Sequence, residues 1–280
     1  MLFQHVAYAQ AVPADDLRGR YLDCLRRALI GTSASYPYRF LVRPPAGHED
    51  MVAELNRRGV ELVTRREGKL SQYEVGAGWP LTGQTMIGER RLKQLQEAVE
   101  TVISEGVAGD LIETGVWRGG AAILMRGVLH AHEVEDRQVW VADSFEGLPP
   151  PDRERYPADR DRPYVQPVLE VSLDEVRTNF ASYDLLDERV RFLPGWFGDT
   201  LPPLGGHVWA VVRLDGDMYE STIQALESLY PSLSPGGFLI VDDYGALAEC
   251  RLAVDDFRTA NAVNEPIEAI DHAGVFWRKR

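Results

Sequence analysis

The chain predicts an α/β fold: a mostly parallel, seven-stranded sheet with helices on both faces, preceded by an N-terminal helical and lid elaboration. Three observations predict it. From residue 84 onward, short apolar runs alternate with segments whose apolar residues recur at helical spacing, the pattern of parallel strands joined by crossover helices. The first five runs end at glycines or carboxylates. Two short strand candidates close the chain, which suggests an antiparallel hairpin at one sheet edge.

The elements follow in order. Leu17, Tyr21, Leu25 and Leu29 repeat at helical spacing, so a helix is expected over 15–30. Residues 31–83 hold four prolines and many glycines, with a short helix expected over 48–58 and a strand over 59–65. Residues 1–83 therefore read as an N-terminal elaboration, and 84–280 as the main domain. There a long helix covers about 85–105, a strand 110–116, a helix 120–134 and a strand 138–144. A Pro- and charge-rich loop fills 147–168, and its stretch 152–162 reads as solvated. A helix over 172–183, strands over 190–196 and 208–216, a helix over 219–232 and a strand over 234–244 come next. A helix over 246–260 and strands over 267–271 and 274–279 finish the chain.

Composition narrows the function. The 280 residues, 45% of them hydrophobic, suffice for one full-sized core. Thirty Lys and Arg against 43 Asp and Glu give a net charge of −13, which argues against nucleic acid as a partner. Cys24 and Cys250 form no CxxC pair, so no zinc site or disulfide framework is signalled. The first sixteen residues lack a basic stretch followed by an apolar run, and no segment is apolar enough to span a membrane. A cytoplasmic location is expected.

In parallel sheets ligands bind at the carboxyl ends of the strands. The first strand ends in Glu113-Thr114-Gly115 before Gly119 and Gly120. This is not GxGxxG, and the acid before the glycine suits a positively charged ligand better than a pyrophosphate. The second strand ends in Asp143-Ser144-Phe145, where a carboxylate can accept from both hydroxyls of a ribose; a helix or turn cap is the plainer reading. The fourth and fifth strands end in Asp215 and in Asp242-Asp243. Three carboxylates meeting there need a cation or a proton, and oxygen ligands without His or Cys favour Mg²⁺. Asp217 is expected to cap the helix that follows it. Trp117, Trp196 and Phe197 could stack on a base, although aromatics near strand ends are more often core.

The runs TMIGERRLKQLQ (85–96), GDLIETGVWRGGA (109–121), VADSFEGLP (141–149), GWFGDTLP (195–202), RLDGDMYEST (213–222) and GGFLIVDDYG (236–245) occur in an order that resembles the macrocin O-methyltransferase family. The N-terminal YLDCLRRALIG resembles it too. The resemblance implies a class I methyltransferase fold (Rossmann-like), S-adenosylmethionine and Mg²⁺. It implies that Asp215, Asp242 and Asp243 ligate the metal, and that Asp215 is also the general base beside the cofactor. Glu113 and Gly115 would line the methionine part, Asp143 the ribose, and Ser144 and Phe145 the adenosine. Thr85 and Met86 would border the cofactor from the N-terminal side, with Trp196 near the adenine. Acceptors in the family include deoxysugars on macrolides and aminocoumarins and a rhamnose on an enediyne. The expectation is therefore methylation of a sugar hydroxyl on a glycosylated natural product, by a homo-oligomer, with residues 35–80 or 147–168 as a lid. A catechol or phenolic acceptor is the nearest alternative. A Mg²⁺-dependent phosphohydrolase using the three aspartates, or a non-catalytic nucleoside sensor, stands further off.

Overall fold

Alternation along the strands sorts apolar side chains into two layers, and the helices cover both. The computed structural model describes residues 17–32, 47–60, 62, 70–159 and 167–280. Strands β1 (Asp110–Thr114), β2 (Val139–Asp143), β3 (Val190–Pro194), β4 (Trp209–Leu214), β5 (Leu233–Val241), β6 (Glu268–Ala269) and β7 (Val275–Arg278) form one sheet. Their order is β3-β2-β1-β4-β5-β7-β6, and β7 runs antiparallel to both β5 and β6. This is the mostly parallel sheet with a closing hairpin that the sequence predicts.

On one face Leu111, Val139, Val141, Val211, Phe238 and Ile240 join a core. It is covered by α1 (Leu17–Ile30), α4 (Gly88–Ser104), α5 (Gly120–Ala131) and α6 (Leu173–Ser182). On the other face Ile112, Val212, Leu214, Leu239 and Val241 pack under α8 (Tyr219–Leu229) and α9 (Ala248–Ala260). Three short helices complete the fold: α2 (Glu49–Arg57), α3 (Leu70–Glu74) and α7 (Phe197–Thr200). Helix α5 is buried from Gly120 through Leu129 because α1 and α4 cover the side turned away from the sheet. Helix α8 ends at Leu229, and a 3-10 turn takes Tyr230–Ser232, since Pro231 cannot donate within an α-helix. Among the described residues no helix is long and apolar enough to cross a membrane.

Of the strand expected over 59–65, only residues 59, 60 and 62 are described, and none is extended in a sheet; Gly59 turns the chain with φ +73°. The rest lies outside the described residues, as does much of the 35–80 lid and part of 147–168. Helix α1 packs directly into the main core, with Leu22, Leu25, Leu29 and Ile30 buried there. Arg26 ties it to Glu89 of α4 at 3.1 Å. Its last turn also holds the next strap: the amides of Gln84 and Thr85 donate to the Leu29 carbonyl, and Gly120 donates to Gln84. Thr85 and Met86 are thereby fixed beside the start of α5. The end of α3 meets the start of α4 backbone to backbone. A Cβ on Gly76 would lie 2.5 Å from the Met86 carbonyl oxygen, and one on Gly88 2.4 Å from the Gly76 amide.

Candidate active site

From β1 the chain works outward to β3, and from β4 outward to the hairpin. The crevice between β1 and β4, outside their carboxyl ends, is where such sheets bind ligands. A cavity of about 1020 Å³ opens there. Thr85, Met86, Glu113, Gly115, Asp143, Ser144, Trp196, Asp215, Asp242 and Asp243 all line it. Phe145 does not face it in the same way: its side chain is buried in the core cluster, and its amide donates to Asp143. Trp117 and Phe197 also line the cavity.

Gly115 has φ +80°, and a Cβ there would lie 1.7 Å from the Asp215 carbonyl oxygen. The glycine is needed because the turns after β1 and β4 touch, beyond any approach of a ligand. That contact brings the two halves of the sheet together at the cavity floor, where the Asp215 amide donates to the Thr114 carbonyl.

Asp143 is held by the amides of Val116, at 2.7 Å, and Phe145, at 2.8 Å. Burial raises its pKa, and these two donors pull it down. Ser144 Oγ stands 3.5 Å from Oδ1 as a weaker donor. Glu113 is 1% exposed. Its Oε1 accepts from Arg213, and its Oε2 is buried without a hydrogen-bond partner. Burial pushes its pKa up to about 8, against the pull of Arg213. A buried carboxylate with an unused oxygen in a cavity wall suits a ligand ammonium.

Asp215, Asp242 and Asp243 each offer an oxygen, and these lie within 4.8 Å of one another. Asp243 Oδ2 is buried without a partner. Burial, then the neighbouring charge of Asp242, pushes Asp215 up to about 6, while Arg213 opposes. Burial, then Asp217, Asp215 and Asp242, raise Asp243 well above the usual carboxylate range. An all-oxygen donor set with one orphaned carboxylate oxygen fits a hard divalent cation. Compensation inside the protein is already present, however. Arg213 Nη2 donates to Asp242 Oδ1 and, at 3.0 Å, to Asp215 Oδ2. Arg91 of α4 donates to Asp242 Oδ2 and, at 3.0 Å, to Asp271.

Sequence reasoning missed both arginines. Arg213 had a signal: a lone cation inside the apolar run VWAVVRLDG, on a strand that proves wholly buried. Glu113 and Arg213 are register partners on β1 and β4, so their side chains share one face. The expected cap of α8 is also corrected. Met218 precedes the helix without a side-chain cap. Asp159 instead accepts from the amides of Tyr219, at 2.6 Å, and Glu220, at 2.9 Å. Asp159 is 2% exposed, so this part of the 152–162 loop is anchored rather than solvated. Asp217 adopts φ +57°, turning the chain between Asp215 and α8.

Comparison with known proteins places these features in a wider set. The sequence model described as Macrocin-O-methyltransferase (TylF) matches residues 18–279. The 8-demethyl-8-(2,3-dimethoxy-alpha-L-rhamnosyl)-tetracenomycin-C 4'-O-methyltransferase of Streptomyces olivaceus is 55% identical over 73% of this chain and 78% of its own. The demethyldecarbamoylnovobiocin O-methyltransferase of Streptomyces niveus is 46% identical over 92% of this chain and 93% of its own. Among solved structures, the O-methyltransferase NovP superposes with a TM-score of 0.80 at 43% identity, covering 94% of this chain and 99% of that one.

Proposed function

The chain belongs to the macrocin O-methyltransferase family and is an O-methyltransferase with the class I methyltransferase fold, and from that premise we propose that it methylates a hydroxyl of a deoxysugar on a natural product. S-adenosylmethionine is the proposed donor, and Mg²⁺ the proposed metal. The observation that carries the reading is one cavity. The Glu113 and Asp143 carboxylates stand on its β1–β2 side, and the Asp215, Asp242 and Asp243 oxygens stand within 4.8 Å of one another on its β4–β5 side. The relatives from S. olivaceus and S. niveus are named for O-methylation of a rhamnosyl tetracenomycin and of demethyldecarbamoylnovobiocin, and the first of these names supports a glycosylated acceptor.

In this reading Glu113 Oε2 receives the donor's ammonium, and Asp143 accepts from its ribose hydroxyls. Ser144, Trp196, Thr85 and Met86 enclose it, with Phe145 acting from behind through the hydrogen bond its backbone N–H donates to Asp143. Asp215, Asp242 and Asp243 hold the metal. When bound, a divalent cation lowers the pKa of a coordinated hydroxyl. Asp215 takes the proton from the acceptor oxygen as general base. Arg213 and Gly115 keep Asp215 where it stands, so alignment is the protein's main contribution. The family's chemistry leaves the phosphohydrolase and sensor readings without support.

Calorimetric titration with S-adenosylhomocysteine, with and without Mg²⁺, tests the donor and metal. Saturable binding that Mg²⁺ leaves intact, with turnover lost in EDTA, supports both. Absence of binding in either buffer sinks the donor assignment. A panel of glycosylated, catecholic and aglycone acceptors then decides the acceptor class, and turnover confined to catechols would overturn the sugar reading.

A further inference from the structure

Glu113, Asp215, Asp242, Asp243 and Asp271 gather around two guanidiniums, Arg91 and Arg213. Arg213 stands in the middle of the sheet with 1% exposure. Both its terminal nitrogens are engaged: Nη1 on Glu113, and Nη2 on Asp215 and Asp242 together. Asp242 is gripped on both oxygens, Oδ1 by Arg213 and Oδ2 by Arg91. Two of the three carboxylates read above as metal ligands, Asp215 and Asp242, thus already share a cation that is tethered to β4. Arginine stays protonated in proteins, so this charge can neither leave nor neutralise. Two cations drawing on the same carboxylate oxygens oppose each other, and most strongly where water is excluded.

We propose that Arg213 is a resident counter-cation of the site: it holds Asp215 and Asp242 together without a divalent ion, and competes with that ion for their oxygens. Arg213 therefore sets how tightly the metal is held. The inference rests on the Mg²⁺ reading of Asp215, Asp242 and Asp243. It separates two effects that a purely structural arginine would not. Loss of its charge tightens metal binding, and the same loss makes the folded state depend on metal. A structural arginine, when lost, would loosen the carboxylates and weaken the metal.

The test uses the purified full chain and its Arg213→Gln and Arg213→Lys variants. Glutamine keeps a hydrogen-bond donor and removes the charge; lysine keeps the charge. Mn²⁺ binding is followed by electron paramagnetic resonance, and thermal unfolding is recorded in EDTA and in Mg²⁺. Arg213→Gln is expected to bind Mn²⁺ roughly 5-fold or more tighter than the parent. Its midpoint should drop in EDTA and recover in Mg²⁺ by more than the parent gains, while Arg213→Lys follows the parent in both. Weaker Mn²⁺ binding by a folded Arg213→Gln chain, or a midpoint loss that Mg²⁺ does not reverse, overturns the proposal. If that variant does not fold in either buffer, Arg91→Gln removes only the second guanidinium on Asp242. It should tighten Mn²⁺ by a smaller factor, and weakened binding there is equally fatal. A parent that binds no Mn²⁺ brings down the Mg²⁺ reading itself, whereas a parent that binds it with no tightening in either variant sinks the counter-cation alone.

Discussion

Asp215 ties three neighbours to one carboxyl-bearing residue: its carboxylate accepts from Arg213, its amide donates to Thr114, and its carbonyl lies under Gly115. Two predictions belong to this scale. Asp215→Asn keeps the shape and loses the base, so kcat should fall by roughly 10²–10⁴. S-adenosylhomocysteine affinity, measured by calorimetry, should stay within a few-fold; a near-normal kcat in the presence of Mg²⁺ would remove Asp215 from the proton transfer. Gly115→Ala meets a backbone carbonyl and a positive φ together. It should cost roughly 3–5 kcal/mol in denaturant unfolding and abolish cofactor-analogue binding, and a variant within 1 kcal/mol of the parent would show that the β1–β4 contact can relax. The strand-end carboxylates were legible because an acid that ends an apolar run stands out locally. Arg91, Arg213 and Asp159 were not placed, because each depends on a partner far along the chain, although Arg213 also meets Asp215 two residues on, a spacing that strand alternation makes readable. Arg91 meets Asp242 151 residues away, Arg213 meets Glu113 100 away, and Asp159 meets Tyr219 60 away. Spacing rules carry no information at such separations.

Elements were read more successfully than their ends. Every strand that joins the sheet was expected, and most helix limits shifted by one to three residues, as fraying ends do. Pro231 cut α8 short for a reason visible in the sequence, whereas the cap of α8 comes from Asp159, 60 residues before Tyr219. Asp159→Ala removes both acceptors for the first amides of α8. It should cost about 1–2 kcal/mol by chemical unfolding and speed trypsin cleavage after Arg153 and Arg155; unchanged cleavage would mean that the loop is held by other contacts, such as Tyr156 on Gln224. The segment between α6 and β3 is latched differently. Asp187 takes a charged hydrogen bond from Arg126 of α5, which is 4% exposed. That bond holds the Asp187 pKa below the usual carboxylate value, despite partial burial. A depressed folded pKa adds stability that is fully present above the unfolded value, roughly 4, and is lost as pH falls through the folded value. The unfolding gap between the parent and Asp187→Asn should therefore be widest near neutrality and shrink below about pH 4. A gap that stays constant from pH 7 to pH 3 would show that the charge of Asp187 contributes nothing.

For the molecule as a whole, the sequence suggested a boundary at residue 84, and the packing offers a direct test of it. Leu22, Leu25, Leu29 and Ile30 of α1 sit in the same core as α4 and α5. Four such side chains are worth roughly 6–12 kcal/mol when buried, comparable to the whole stability of a typical domain. A chain that begins at residue 84 should therefore fail to unfold cooperatively by calorimetry and should aggregate; a sharp transition with retained cofactor-analogue binding would establish 84–280 as independent. The same whole-chain packing separates what can vary from what cannot. Where α3 meets α4, Gly76 and Gly88 leave no room for even a methyl group, while their neighbour Ala77, and Ala246, Leu247 and His272 across the opening, present side chains to the cavity. For directed evolution toward new acceptors, this divides the cavity lining into a close-packed seam to be kept invariant and a palette to be randomised. A library confined to those four positions would sample new shapes of the opening while leaving the carboxylates and arginines of the strand ends untouched.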